Sequence, residues 1–189
     1  MEIVLLRIDS NLSWESCKKY VYLLSDERKE KCNRYINDKD KMISLLSGLL
    51  IRKEIGKGKE IKCMYNKYGK PYLKDRDDLY FSISHSGEYI ALAYDSKEIG
   101  IDIEKIGIFN QKISKKFFTV EENEYIEKSD DKNMASYKIW TSKEAYLKKI
   151  GTGFSNGGYK VNILDQNINE HIITKKIDDY MLSVAKSKW

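Results

Sequence analysis

Leu79-Tyr80-Phe81-Ser82-Ile83-Ser84, Tyr89-Ile90-Ala91-Leu92-Ala93-Tyr94 and Ile99-Gly100-Ile101-Asp102-Ile103-Glu104 are three consecutive apolar runs, parted only by turns around Gly87 and Asp95-Ser96. Runs of this length between such breakers predict strands, and the short connections predict an antiparallel meander. Upstream, residues 2–9 predict a further strand, and Leu12–Leu24, Asp26–Ile36 and Asp38–Ile55 predict helices. The last of these is the most amphipathic, through Met42, Leu45, Leu46, Leu49 and Leu50, and Gly56 stops it. Ile61–Tyr65 predicts a strand before the turn at Lys67-Tyr68-Gly69-Lys70-Pro71. Downstream, Thr119 with Glu122 three residues on forms a capping box. Met134–Ile150 is a long helix ended by Gly151, and residues 159–163, 171–177 and 180–185 predict closing strands. Helices followed by a meander in each half predict an α+β fold of two similar lobes, each with an antiparallel sheet and packed helices.

Composition narrows the function classes. The chain has 189 residues, 34 basic and 29 acidic side chains, a net charge of +5 and 41% hydrophobic residues. That is enough apolar content for a core and too much for a disordered chain. The basic excess concentrates in residues 52–76, where nine Lys or Arg face only Glu54, Glu60 and Asp75. Such a cluster attracts phosphates, nucleic acid or an acidic protein, and is also what a solvated surface shows. Cys17, Cys32 and Cys63 lack C-x-x-C spacing and read as reduced thiols. Glu2 and Arg7 interrupt the apolar N-terminal run, and no stretch of about 18 apolar residues occurs, so a cytoplasmic location away from the membrane is expected.

Two constellations carry chemistry. Asp102 and Glu104 share one face of a strand at about 7 Å, where two carboxylates can hold a hard divalent cation, although any half-exposed strand alternates in this way. Trp140, Glu144 and Lys148 share one face of a helix. A Glu–Lys pair at that spacing is a common surface feature, but the Trp in the same row points to a buried or cleft-facing stripe. The Phe81–Gly87 run ends in small hydroxyls and His85, which together can offer donors to a phosphate. Ser84 and Ser86 lack a Gly-x-Ser-x-Gly elbow, and the glycines at 151, 153, 157 and 158 form no Walker or Rossmann loop.

Taken in order, Tyr68-Gly69-Lys70-Pro71, Phe81 to Gly87, Gly100-Ile101-Asp102-Ile103-Glu104, and Trp140-Thr141-Ser142-Lys143-Glu144 with Lys148 and Gly151-Thr152-Gly153 closely resemble the 4′-phosphopantetheinyl transferases. The resemblance is to the larger, Sfp-type branch and runs from the Glu30 region to about Phe154. It implies an intramolecular pseudo-dimer, with residues 1–98 carrying coenzyme A contacts and residues 99–189 the metal ligands and catalytic helix. It implies Mg²⁺ held by Asp102, Glu104 and Glu144, and His85 at the coenzyme A phosphates. Lys148 falls beside the reacting pyrophosphate. Arg28 and Lys31 fall at the 3′-phosphate, where Ser44 can also reach, and Lys70 and Ser84 fall in other coenzyme-contacting segments. Beyond about Tyr159 no motif continues it, and the C-terminal part is shorter than usual for the branch.

The implied reaction moves 4′-phosphopantetheine from coenzyme A to a serine of an apo acyl or peptidyl carrier protein, releasing adenosine 3′,5′-bisphosphate. Its general base is Glu144 or Glu122, the latter matching a glutamate after the Phe117-Phe118 pair. The branch implies a monomer that docks a carrier helix near Ile113 and Phe117. The alternative is a non-catalytic basic module for nucleic acid or acidic proteins using residues 52–76, but no RNA-binding signature such as an RNP1 motif accompanies it, and nucleic acid is not the expected partner.

Overall fold

The computed structural model describes residues 1–74 and 76–187, with the backbone alone for Ser155 and Asn156. The first half runs β1 (Glu2–Arg7), α1 (Trp14–Cys17) continuing as a 3-10 helix over Lys18–Leu23, α2 (Asp26–Asn33), α3 (Asp38–Glu54), β2 (Cys63–Tyr65), β3 (Pro71–Leu73), β4 (Tyr80–Ser86) and β5 (Tyr89–Asp95). The second half runs β6 (Ile99–Lys105), α4 (Gln111–Phe117), α5 (Val120–Glu127), α6 (Lys132–Ile150), α7 (Gln166–Asn169), β7 (Ile172–Ile177) and β8 (Tyr180–Lys186). The fold is α+β with two similar lobes, each a three-stranded antiparallel sheet, β1-β5-β4 or β6-β8-β7, with a long helix against it; β2 and β3 form a separate two-stranded ribbon.

The expected three-strand meander breaks after its first hairpin. β4 and β5 pair as predicted, but the free edge of β5 is taken by β1, and β6 pairs with β8 instead. β6 still lies beside β4, joined to it by serine side chains rather than a backbone ladder. The chain therefore changes sheets across Asp95–Ile99. The strand expected at 159–163 is also absent. Gly158–Lys160 is a 3-10 turn, and the Ile163 N–H donates to the Glu122 carboxylate instead of to a neighbouring strand.

Burial on both faces of β5 ties the lobes together. Its Ile90 and Leu92 enter the first-lobe core with Leu45 and Phe81, whereas Ala91 and Ala93 enter a second cluster with Ile99, Ile101, Ile103, Leu182 and Val184. Small side chains on that face let the second sheet come close. The other face of β6 meets α6, and Gly100 sets the distance. A Cβ there would lie 2.0 Å from the Ala145 carbonyl oxygen and 2.4 Å from the Lys149 nitrogen. Asp102 and Glu104 share that face by strand alternation, so Gly100 lets α6 press Glu144 and Lys148 against the strand that carries them.

Candidate active site

Between the lobes lies a cleft of about 530 Å³, lined among others by Arg28, Lys31, Ser44, Lys70, His85, Glu144 and Lys148. At its first-lobe end Arg28 is buried on α2, and its Nη2 donates to the Ser44 carbonyl of α3 at 3.2 Å. The Arg28 Nε and the Ser44 hydroxyl are buried, with no hydrogen-bond partner among the described residues. Lys31, one turn along α2, stands over the Tyr65 ring at 5.1 Å. His85 opens toward the cleft. Desolvation by the cleft walls, followed by the Lys148 charge, holds its imidazole below the usual pKa, and Asp40 and Asp102 pull the other way. An end with a buried guanidinium, a hydroxyl and a lysine suits an anion.

Lys70 lines the same cleft, but its ammonium is committed. It donates to the Lys149 carbonyl at 2.6 Å, while Asn66 donates to the Gly151 carbonyl at 2.8 Å. The β2–β3 turn thus caps the C-terminal end of α6, where carbonyls lack helical partners and a cation is favoured. Burial pushes the Lys70 pKa down to about 8, with nearby Glu98 opposing. Gly151 closes α6 in the left-handed region at φ 75°, and a Cβ there would meet Asn66 and Lys70 at 3.0 Å.

At the second-lobe end, Asp102 is buried on β6. Its Oδ1 accepts from Lys148 Nζ at 2.6 Å and from the Ser84 hydroxyl at 2.8 Å, and Lys148 also donates to Ser84 at 2.9 Å. The Asp102 Oδ2 is buried, with no hydrogen-bond partner among the described residues. Glu104 accepts from the Ser86 hydroxyl at 2.9 Å, and Ser86 in turn accepts the Lys105 N–H. Burial, followed by the Asp102 charge, raises the Glu104 pKa. Burial raises Glu144 to about 7; Asp102 and Glu104 add to this and Lys148 opposes it. The Asp102 and Glu104 charges therefore disfavour ionisation of Glu144, and Lys148, bonded to Asp102, opposes this. Among the described residues no three Asp, Glu, His or Cys side chains already form a cage for a metal ion.

Glu122 lies elsewhere. It is fully buried, its Oε2 accepting from Lys143 Nζ at 2.6 Å and the Thr119 N–H at 2.8 Å, and its Oε1 from the Ile163 N–H at 2.9 Å. The expected capping box is present, but it belongs to a buried ion pair that holds α5, α6 and the segment before α7 together, and Glu122 does not line the cleft. Phe117 packs at 4.5 Å between ring centroids against Phe154, which stacks on Trp140, and Ile113 packs against the same core. Sequence reasoning missed Ser82 and Ser86 as ties to β6, and Asn66 as a cap. Ser82, Ser84 and Ser86 share one strand face by alternation, and each bonds β6.

The family model described as the 4′-phosphopantetheinyl transferase superfamily matches residues 98–185, and that described as 4′-phosphopantetheinyl transferase, N-terminal, matches residues 12–97. The chain is 35% identical over 162 residues to 4′-phosphopantetheinyl transferase Sfp of Bacillus subtilis, covering 82% of this chain and 72% of that relative. This chain belongs to the 4′-phosphopantetheinyl transferase family. A second relative, 4′-phosphopantetheinyl transferase gsp of Aneurinibacillus migulanus, is 40% identical over 139 residues, 69% of this chain and 57% of that protein. The L-aminoadipate-semialdehyde dehydrogenase-phosphopantetheinyl transferase of Mus musculus is 29% identical over 167 residues, 77% of this chain and 53% of that protein. The chain is a phosphopantetheinyl transferase and not merely a basic binding module. No helix among the described residues is long and apolar enough to cross a membrane.

Proposed function

We propose that this transferase moves 4′-phosphopantetheine from coenzyme A to a serine of an apo acyl or peptidyl carrier protein, with adenosine 3′,5′-bisphosphate as the other product. The observation that carries this reading is one cleft lined by Arg28 and Lys31 on the first lobe and by Glu144 and Lys148 on the second, with Asp102 bonded to Lys148 and both Asp102 and Glu104 near enough to act on Glu144. Residues 1–98 bind the nucleotide end of coenzyme A: Arg28, Lys31 and Ser44 take the 3′-phosphate, and His85 and Ser84 face the pyrophosphate. Residues 99–189 carry the reaction. The protein works as a monomer in the cytoplasm, where its three buried cysteines stay reduced.

The donor set fits Mg²⁺: three carboxylate groups, one oxygen of which, Asp102 Oδ2, is buried with no hydrogen-bond partner among the described residues. Asp102, Glu104 and Glu144 would hold it, and when bound it neutralises the pyrophosphate and stabilises developing charge on its oxygens. The chain's own residues do the rest. The serine Oγ attacks the phosphorus attached to pantetheine, the bond to the bridging oxygen of the pyrophosphate breaks, and the bisphosphate leaves with the electron pair. Lys148, held by Ser84 and Asp102, places a cation where that charge grows. The serine proton goes to Glu144, the carboxylate that lines the cleft on the second lobe. Ser86 keeps Glu104 oriented by its hydrogen bond. Intact-mass spectrometry of apo carrier proteins incubated with the enzyme, coenzyme A and Mg²⁺ tests the reading. A gain of one phosphopantetheine on the carrier is expected, and no gain on any carrier contradicts it.

A further inference from the structure

The β2–β3 ribbon leaves the cleft rim and shows solvent a face that its own charges disfavour. Tyr68, Gly69, Lys70 and Pro71 at its turn line the cleft. From there the register pairs Tyr65 with Pro71, Met64 with Tyr72 and Cys63 with Leu73, and the Lys74 N–H donates to the Lys62 carbonyl. Cys63 and Leu73 are buried in the first-lobe core. By alternation Lys62, Met64, Tyr72 and Lys74 share the opposite face, and all four are exposed, Met64 by 45% and Tyr72 by 46%.

This face combines a cross-strand apolar pair with two lysines directly opposite each other, an arrangement that destabilises a ribbon. Lys62, Lys74 and Lys67 at the turn have no acidic partner among the described residues. Elsewhere exposed lysines such as Lys18, Lys29 and Lys128 do have one. A free ribbon gains nothing from holding Met64 and Tyr72 in water between unpaired cations, whereas an acidic partner with an apolar contact residue satisfies both features at once. The methionine and tyrosine pair, offering apolar area rather than a stacking groove, favours a folded acidic protein over a nucleic acid.

We infer that the outward face of β2–β3 docks an acidic surface of the protein substrate, holding it on the rim of the cleft into which its serine must reach. This rests on the proposed function, and it adds a contact on the first lobe to those on the second. The test is the affinity and transfer kinetics of an apo acyl carrier protein with Lys62→Glu/Lys74→Glu, with Met64→Ser/Tyr72→Ser, and with Lys175→Glu/Lys176→Glu as a control of equal charge change on β7. Each ribbon variant should weaken carrier binding and raise the carrier KM about tenfold, leaving coenzyme A affinity, kcat and transfer to a short serine peptide unchanged. The control should change carrier KM by less than about twofold. Unchanged carrier affinity in both ribbon variants, an equal effect of the control, or loss of oligonucleotide binding without loss of carrier binding overturns the inference. Failure of the unmodified protein to transfer to any carrier would instead count against the proposed function, while its carrier affinity would still judge the ribbon.

Discussion

The two ends of the cleft belong to lobes of similar architecture but carry opposite charge. In the first lobe, α2 and α3 bring Arg28, Lys31 and Ser44 to one place, with buried donors left without partners among the described residues. In the second, β6 and α6 bring Asp102, Glu104 and Glu144 together, and each carboxylate raises the cost of ionising the next. Like-charge clusters of this kind are unfavourable in an isolated fold. Under the proposed function the two clusters serve one ligand, anionic at the first-lobe end and meeting a cation at the other. The lobes share an architecture, and the difference lies in which side chains the joint between them exposes.

The largest effect should come from removing charge at the carboxylate end. Asp102→Asn keeps the size of the side chain, so folding should persist while kcat/KM falls about a thousandfold, the several kcal/mol that a metal's charge stabilisation supplies. Steady-state transfer kinetics check this, and near-normal transfer would break the contrast between the ends. Next, Lys148→Ala should lower kcat about a hundredfold. Lys31→Ala and His85→Ala should chiefly raise the coenzyme A KM, by about tenfold. Equal effects on kcat and KM at all three positions would erase the division of labour.

Stability should respond to pH more gently. Glu144 has its folded pKa raised to about 7 from the usual value of 4.5, so between those values the native state binds more protons than the unfolded one. Without divalent metal the protein should therefore lose stability from this group as pH rises from about 4.5 to 7, and Glu144→Gln should flatten that slope in denaturant titrations. The smallest effect on turnover belongs to Glu122→Gln. It breaks the buried pair with Lys143, so it should lower Tm by about 10 °C and leave kcat per folded molecule almost unchanged. A collapse of kcat in the folded variant would return Glu122 to the reaction.

What the sequence revealed follows from which physics is local. Strand alternation placed Asp102 and Glu104 on one face, helical spacing placed Trp140, Glu144 and Lys148 on another, and the Thr119–Glu122 capping box is a three-residue geometry; all three are present. Pairing partners are not local. The three runs from Leu79 to Glu104 look alike as strands, and nothing within them says that β1 would take the edge of β5 and send β6 to β8. Burial of charge is equally hidden. Lys143 and Glu122 sit in ordinary helical sequence, and only the packing of α5 on α6 encloses them. The Lys70 ammonium caps a helix 79 residues away, a contact that no short-range pattern encodes.

The central claim is that the two ends of the cleft act on one ligand, so that charge at one end changes affinity at the other. Calorimetric titration of coenzyme A with and without Mg²⁺, into the unmodified protein and Asp102→Asn, tests this coupling directly. Mg²⁺ should tighten coenzyme A binding to the unmodified protein and leave Asp102→Asn unaffected. Coenzyme A affinity indifferent to Mg²⁺, or tightened equally in the variant, would contradict it.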